Sequence, residues 1–176
     1  MVNSQMIDEK QLEILSIQLG QRLLQLDKTV TAAESCTGGW IAKVLTDIAG
    51  SSAYFNRGFV TYSNEAKHQM IGVTNDSLTR FGAVSQQVVQ EMALGALNEA
   101  QADFAMSVSG IAGPGGGSED KPVGTVWFGF ALKQANGTVD VVTRHQIFEG
   151  DRYQVRLQST GYSLETLLQL ISEKFS

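Results

Sequence analysis

Three candidate nucleophiles stand in a row in the stretch "TVTAAESCTGGWIAKVL": Ser35, Cys36 and Thr37, followed by Gly38 and Gly39. The residues before them read as a strand and the residues after them as a helix. A nucleophile at such a junction lies beside the unpaired N–H groups of a helix start, here Thr37, Gly38 and Gly39, and these attract negative charge. That arrangement suits acyl transfer, where an oxyanion must be stabilised, and glycines let a substrate approach the backbone closely. The same residues also suit a plain helix cap, with Ser35 or Thr37 as the capping side chain.

A serine needs a base. The chain has two histidines, His68 and His145, and neither sits in a pattern that signals a Ser-His-Asp triad. Lysine can serve if burial or a nearby cation brings its pKa toward neutrality. Lys67, in "TYSNEAKHQM", falls one turn into a helix that follows a second strand, with Tyr62 at the strand's end. If the two strands are neighbours, Ser35, Lys67 and Tyr62 share the sheet edge at which open α/β sheets bind ligands. "SVSGIAGPGGGSEDKP" ends a third strand at that edge. Its glycines fit neither a Walker loop nor a dinucleotide fingerprint, but they suit a loop that wraps a ligand, with Ser109, Gly110 and Gly113 as candidate contacts. In "GDRYQVR", Arg152 and Arg156 lie four apart on one helix face and can hold a phosphate by paired hydrogen bonds. His and Cys spacing gives no metal site.

These residues need a scaffold. Leu12, Leu15, Leu19, Leu23 and Leu26 recur at helical spacing, so residues 8–27 are expected to be an amphipathic helix. Residues 53–63 read as the second strand, 64–72 as a helix with Asn64 as N-cap and Gly72 as its stop, and 74–81 as a short polar turn or helix. A helix capped by Ser85 leads to the third strand at 103–110. Two further strands meet at Asn136-Gly137, a hairpin signal, and Asp151 opens the last helix. The order αβαβααβ–loop–ββα predicts an α/β fold, a three-layer α/β/α sandwich around a mixed, mostly parallel sheet. We find no linker and expect one domain over 1–176.

With 43% hydrophobic residues, the 176-residue chain can build a substantial core. No apolar run is long enough to span a membrane, and the polar opening "MVNSQMIDEKQ" carries no secretory signal. A single cysteine rules out a disulfide within the chain, so a cytoplasmic location is expected. A net charge of −5 with scattered basic residues argues against nucleic acid as a partner, though a small phosphorylated ligand needs only one or two cations.

Together, "AESCTGGWIAKVLTDIAGSS", "GFVTYSNEAKHQMIGV", "GAVSQQVVQEMALGA", "SVSGIAGPGGGSEDKPVGTV" and "GDRYQVR" closely resemble the C-terminal domain of the competence/damage-inducible CinA family, over roughly residues 10–170. Stand-alone members of that family are nicotinamide-nucleotide amidohydrolases. The resemblance implies hydrolysis of the carboxamide of nicotinamide mononucleotide (NMN) to nicotinate mononucleotide and ammonia, a place in pyridine nucleotide recycling, and a homo-oligomer, dimer or larger. It implies neither metal nor organic cofactor. The family's serine falls on Ser35, its tyrosine and lysine on Tyr62 and Lys67, and its arginine on Arg152 or Arg156, of which Arg152 is favoured. Thr37, Gly38 and Gly39 are then expected to receive the oxyanion or substrate. Cys36 is the alternative nucleophile. A nucleotide-binding paralogue without activity is the alternative function.

Overall fold

The computed structural model describes residues 7–175. Twelve elements follow in the order α1 (Glu9–Leu26), β1 (Val30–Glu34), α2 (Trp40–Thr46), a 3₁₀ turn (Ser51–Ala53), β2 (Phe59–Val60), α3 (Asn64–Ile71), α4 (Asn75–Phe81), α5 (Gln86–Ala100), β3 (Phe104–Gly110), β4 (Thr125–Lys133), β5 (Val139–Ile147) and α6 (Arg152–Lys174). The strands form one sheet in the order β2-β1-β3-β4-β5. β1 runs parallel to β2 and β3, while the β3–β4 and β4–β5 pairs are antiparallel. The sheet is therefore mixed, as expected, but its parallel and antiparallel pairings are balanced.

Alternation along the strands builds two cores, because successive side chains point to opposite faces. Val30 and Ala32 of β1, Phe104, Met106 and Val108 of β3, and Val126, Phe128, Phe130 and Leu132 of β4 face the helices that supply Leu12, Leu19, Leu23, Ile41, Leu164, Leu167 and Ile171. Ala33, Ala105 and Ala131 face the other way, toward Val88, Val89, Met92 and Ala96 of α5 and Ile71 of α3. The small alanines let α5 settle close on the sheet. Gly95 then lets α3 and α5 touch, since a Cβ there would lie 1.8 Å from the Ile71 carbonyl oxygen. That crossing fixes α3 and, with it, Lys67.

The second strand is much shorter than the β-branched and aromatic run predicts. Ser51–Ala53 turn as a 3₁₀ segment, Phe55 makes only an isolated bridge to Val30, and only Phe59 and Val60 pair with β1. Ser63, not Asn64, caps α3, its hydroxyl accepting from the Ala66 N–H at 3.0 Å. Residues 75–81 form a true helix, capped by Thr74. Asp151 caps α6 in a reciprocal capping box with Gln154. Among the described residues no helix is long and apolar enough to cross a membrane.

The parallel strands β1, β2 and β3 end at one sheet edge. The chain leaves β1 for β2 on one side and returns to β3 on the other, so the carboxyl end of β1 is a topological switch point, where a crevice opens. Ser35 is the first residue beyond it.

Candidate active site

Ser35 is held by its own backbone first. Its N–H donates to the Val108 carbonyl of β3 at 3.0 Å, continuing the β1–β3 pairing one residue past the strand. Its side chain opens into a cavity of about 300 Å³ between β1, β3, α3 and the start of α6, lined also by Lys67, Tyr62, Asn64, Ser109 and Arg152. Neither histidine lines it. His68 bonds the Val73 carbonyl through Nδ1, and His145 stacks on Trp127.

Lys67 is 1% exposed. Its Nζ lies 3.1 Å from Ser35 Oγ, 2.8 Å from the Thr61 carbonyl oxygen and 3.5 Å from that of Tyr62. Among the described residues no carboxylate comes within ion-pairing distance of it. Burial without a counter-ion disfavours the ammonium, and the amine is lowered from its ordinary 10.5 to about 8. A neutral amine has two N–H groups and one lone pair. The two carbonyls take the N–H groups, which leaves the lone pair for the Ser35 hydroxyl.

Cys36 is 6% exposed and packs into the core under α1 and α6. Burial pushes its thiol up to about 12, so it stays protonated and is a poor nucleophile. Tyr62 is different again. At 62% exposure its ring stands at the cavity mouth, and its hydroxyl accepts from Arg152 Nη2 at 3.2 Å rather than meeting Lys67. Only its carbonyl reaches toward the amine. Arg152 also donates through Nη1 to the Gly113 carbonyl at 2.7 Å, tying the glycine-rich loop to the start of α6. Ser109 is buried and lines the cavity with Gly110. A side chain on Gly110 would run into Val126, 2.7 Å from its Cγ2, so this glycine is required by packing between β3 and β4.

The structure does not bring the remaining expected residues to this cavity. Thr37, Gly38, Gly39 and Arg156 line a separate, larger and more open cleft of about 980 Å³ between α1, α2 and α6. Arg156 is turned inward there, with Nε donating to the Cys36 carbonyl at 3.0 Å and Nη2 to the Thr37 carbonyl at 3.2 Å. Nor is the α2 terminus free for an anion. Gly39 is the N-cap and no side-chain oxygen of residues 35–39 caps the helix. Instead the buried Glu34 carboxylate accepts from the Ile41 N–H at 2.8 Å and the Ala42 N–H at 3.0 Å. Sequence reasoning did not single out Glu34; its signal is its place one residue before Ser35, at the end of a fully buried strand.

Comparison with known proteins finds relatives across nearly the whole chain. Residues 12–171 match the CinA C-terminal domain. The chain is 62% identical over 161 residues to the nicotinamide-nucleotide amidohydrolase PncC of Escherichia coli K12, covering 92% of this chain and 95% of that protein. It is 48% identical to the PncC of Pseudomonas putida, covering 90% and 96%. Among solved structures, the competence/damage-inducible protein CihA from Agrobacterium tumefaciens superposes with a TM-score of 0.84 at 46% identity, over 91% of this chain and 95% of that one. A CinA superfamily protein from Escherichia coli does so with a TM-score of 0.86 at 36% identity, over 97% and 98%.

Proposed function

The chain belongs to the CinA C-terminal domain family, and from that premise we propose that it hydrolyses the carboxamide of NMN to nicotinate mononucleotide and ammonia. The observation that carries the chemistry is the buried amine of Lys67, 3.1 Å from Ser35 Oγ with no carboxylate beside it. The substrate is taken from the relatives named nicotinamide-nucleotide amidohydrolase, two of which match across nearly their whole length.

In this reading Lys67 begins as the neutral amine. Its lone pair takes the Ser35 proton as Oγ attacks the carboxamide carbon, giving a tetrahedral intermediate and a lysine ammonium. The ammonium passes that proton to the amide nitrogen, the C–N bond breaks, and ammonia leaves an ester on Ser35. Lys67, neutral again, draws a proton from water, hydroxide adds to the ester, and the carboxylate product departs as Ser35 regains its proton. In this reading the Cys36 N–H, next to the nucleophile and with no backbone carbonyl partner among the described residues, meets the oxyanion. Tyr62 and Arg152 frame the mouth, where the phosphate of the nucleotide would lie.

Incubation of the purified protein with NMN, assayed for ammonia and nicotinate mononucleotide, tests the proposal. Equimolar release of both products is expected. Tight NMN binding without ammonia release would favour a binding paralogue instead.

A further inference from the structure

The turn from Ser35 to Gly39 lies outside both flanking elements, and Gly38 and Gly39 take left-handed backbone angles with φ of +62° and +101°. Backbone bonds hold such a segment only in part, here Ser35 N–H to the Val108 carbonyl and Gly38 N–H to the Ser35 carbonyl. Two side chains, one acidic and one basic, brace it. Glu34, 1% exposed, accepts from the Thr37 hydroxyl at 2.7 Å and the Ile41 N–H at 2.8 Å through one oxygen, and from the Ala42 N–H at 3.0 Å through the other. Arg156 donates to the carbonyls of Cys36 and Thr37, and its guanidinium lies 5.6 Å from the centre of the Trp40 ring. One hydroxyl of the turn and two N–H groups of α2 go to Glu34, and two carbonyls of the turn go to the guanidinium. Neither side chain lines the cavity of Ser35 and Lys67.

A cheaper solution was available. α1, α3, α4, α5 and α6 are capped locally by Asp8, Ser63, Thr74, Ser85 and Asp151. α2 alone among these helices has no side chain at its N-cap and relies on a buried carboxylate from the preceding strand. Burying an acidic group is costly unless it is hydrogen-bonded, burial raises the Glu34 carboxyl above its ordinary range against the lowering effect of those bonds, and helix stability by itself does not call for it. What Glu34 and Arg156 add is a fixed path for the backbone directly after Ser35.

We infer that Glu34 and Arg156 are positioning residues, a clamp of one acceptor and one donor side chain that fixes the orientation of Ser35 toward Lys67 without touching substrate. The inference rests on the reading of Ser35 as the nucleophile. Glu34→Gln places an amide N–H against a backbone N–H. Arg156→Lys keeps the charge but loses the fork that spans two carbonyls. Each is expected to lower kcat for NMN about a hundredfold, the cost of a nucleophile displaced by about 1 Å, with KM unchanged, one NMN bound per chain, and a Tm well above the assay temperature. The double variant should lose less than the product of the single losses, because both act on one turn. A KM that rises at constant kcat in Arg156→Lys would make Arg156 a substrate contact and overturn the clamp, as would kcat within about threefold of wild type in both variants. If Glu34→Gln does not fold, Arg156→Lys, at a half-buried position, carries the test. The rate at which a fluorophosphonate modifies Ser35 separates this inference from the choice of substrate. Should the wild type release no ammonia from NMN, slower modification of the variants still supports the clamp. Modification at the wild-type rate, or none of the wild type, overturns it.

Discussion

Two cavities lie on either side of the turn that follows Ser35, and they treat charge in opposite ways. The larger, about 980 Å³, is lined by ionic groups that are either exposed to water, as Lys10 and Glu13 are, or matched. Lys43 pairs with Asp47 at 2.7 Å, the Tyr153 hydroxyl donates to Glu9 at 2.7 Å, and Arg156 is spent on two carbonyls. The smaller, about 300 Å³, holds a buried amine with no counter-ion beside a hydroxyl. Size and charge density therefore point to the wrong side of the turn. On the proposed reading the buried unmatched group marks the chemistry, because an ion that is solvated or paired keeps its ordinary proton affinity.

The sharpest way to break this comparison is to remove the unmatched pair. Ser35→Ala and Lys67→Arg are each expected to lower kcat by about a thousandfold or more, the scale seen when a nucleophile or its base is lost. Arginine keeps the charge but stays protonated, so it cannot accept the serine proton. Both variants should fold and bind NMN, as measured by circular dichroism and calorimetric titration. Substantial turnover by Lys67→Arg would reduce the lysine to an electrostatic anchor. Turnover by Ser35→Ala that disappears in Cys36→Ala would transfer the nucleophile to the thiol.

The next effect concerns the two arginines, which the sequence places on one helix face and the structure assigns to different cavities. Arg152→Ala is expected to raise KM for NMN about ten- to a hundredfold, the worth of a charge-assisted contact to phosphate, and to change the kinetics for nicotinamide riboside much less. Equal losses with both substrates would show that Arg152 serves only to hold Gly113 and Tyr62.

How much of this was readable beforehand depended on how local the signal was. Asp151, Ser85 and Gly72 act within a turn of their own position, and the Asn136-Gly137 hairpin within four residues, so sequence sufficed for them. Ser35 and Lys67 were legible because strand-to-helix junctions at one sheet edge must converge. The second strand was not. Its β-branched and aromatic residues suit a pleated surface, but the Thr31 hydroxyl donates to the Arg57 carbonyl at 2.7 Å and the 3₁₀ turn draws Tyr54 into the core. Nor could spacing show that Glu34 reaches over seven and eight residues to the Ile41 and Ala42 N–H groups of α2, or that Thr37–Gly39 line the other cavity. Arg152 and Arg156 differ by one helical turn, about 5.4 Å. That step carries one over the cavity mouth and the other under the turn, a distinction set by tertiary packing alone.

A smaller, graded effect follows from pH. With Lys67 titrating at about 8, down from 10.5, kcat/KM should fall about tenfold per unit as pH drops below that value. Stability should respond with a definite sign. Between the folded value of about 8 and the unfolded value near 10.5, the unfolded chain holds more protons, so the wild type gains stability as pH rises. Relative to Lys67→Met, that gain reaches up to about 3 kcal/mol across the window and is absent below it. Denaturant unfolding of both proteins at several pH values measures it. Parallel curves throughout would show that the lysine is not depressed in the folded state.

The smallest effect is expected in the larger cavity, and it is the control that gives the comparison its meaning. Lys43 and Asp47 form a pair four residues apart on α2, with side chains 68% and 46% exposed. Such a pair is screened by water and spends side-chain entropy to form. It also lies on the far side of the turn from Ser35. Lys43→Ala and Asp47→Ala should therefore keep kcat and KM for NMN within about twofold of wild type, with little change in Tm. Steady-state kinetics and thermal unfolding decide it. A tenfold loss of kcat in either variant, with the fold intact, would mean that the larger cavity communicates with the nucleophile through more than the Glu34 and Arg156 contacts. The division of the molecule into a reactive and a spent side would then have to be redrawn.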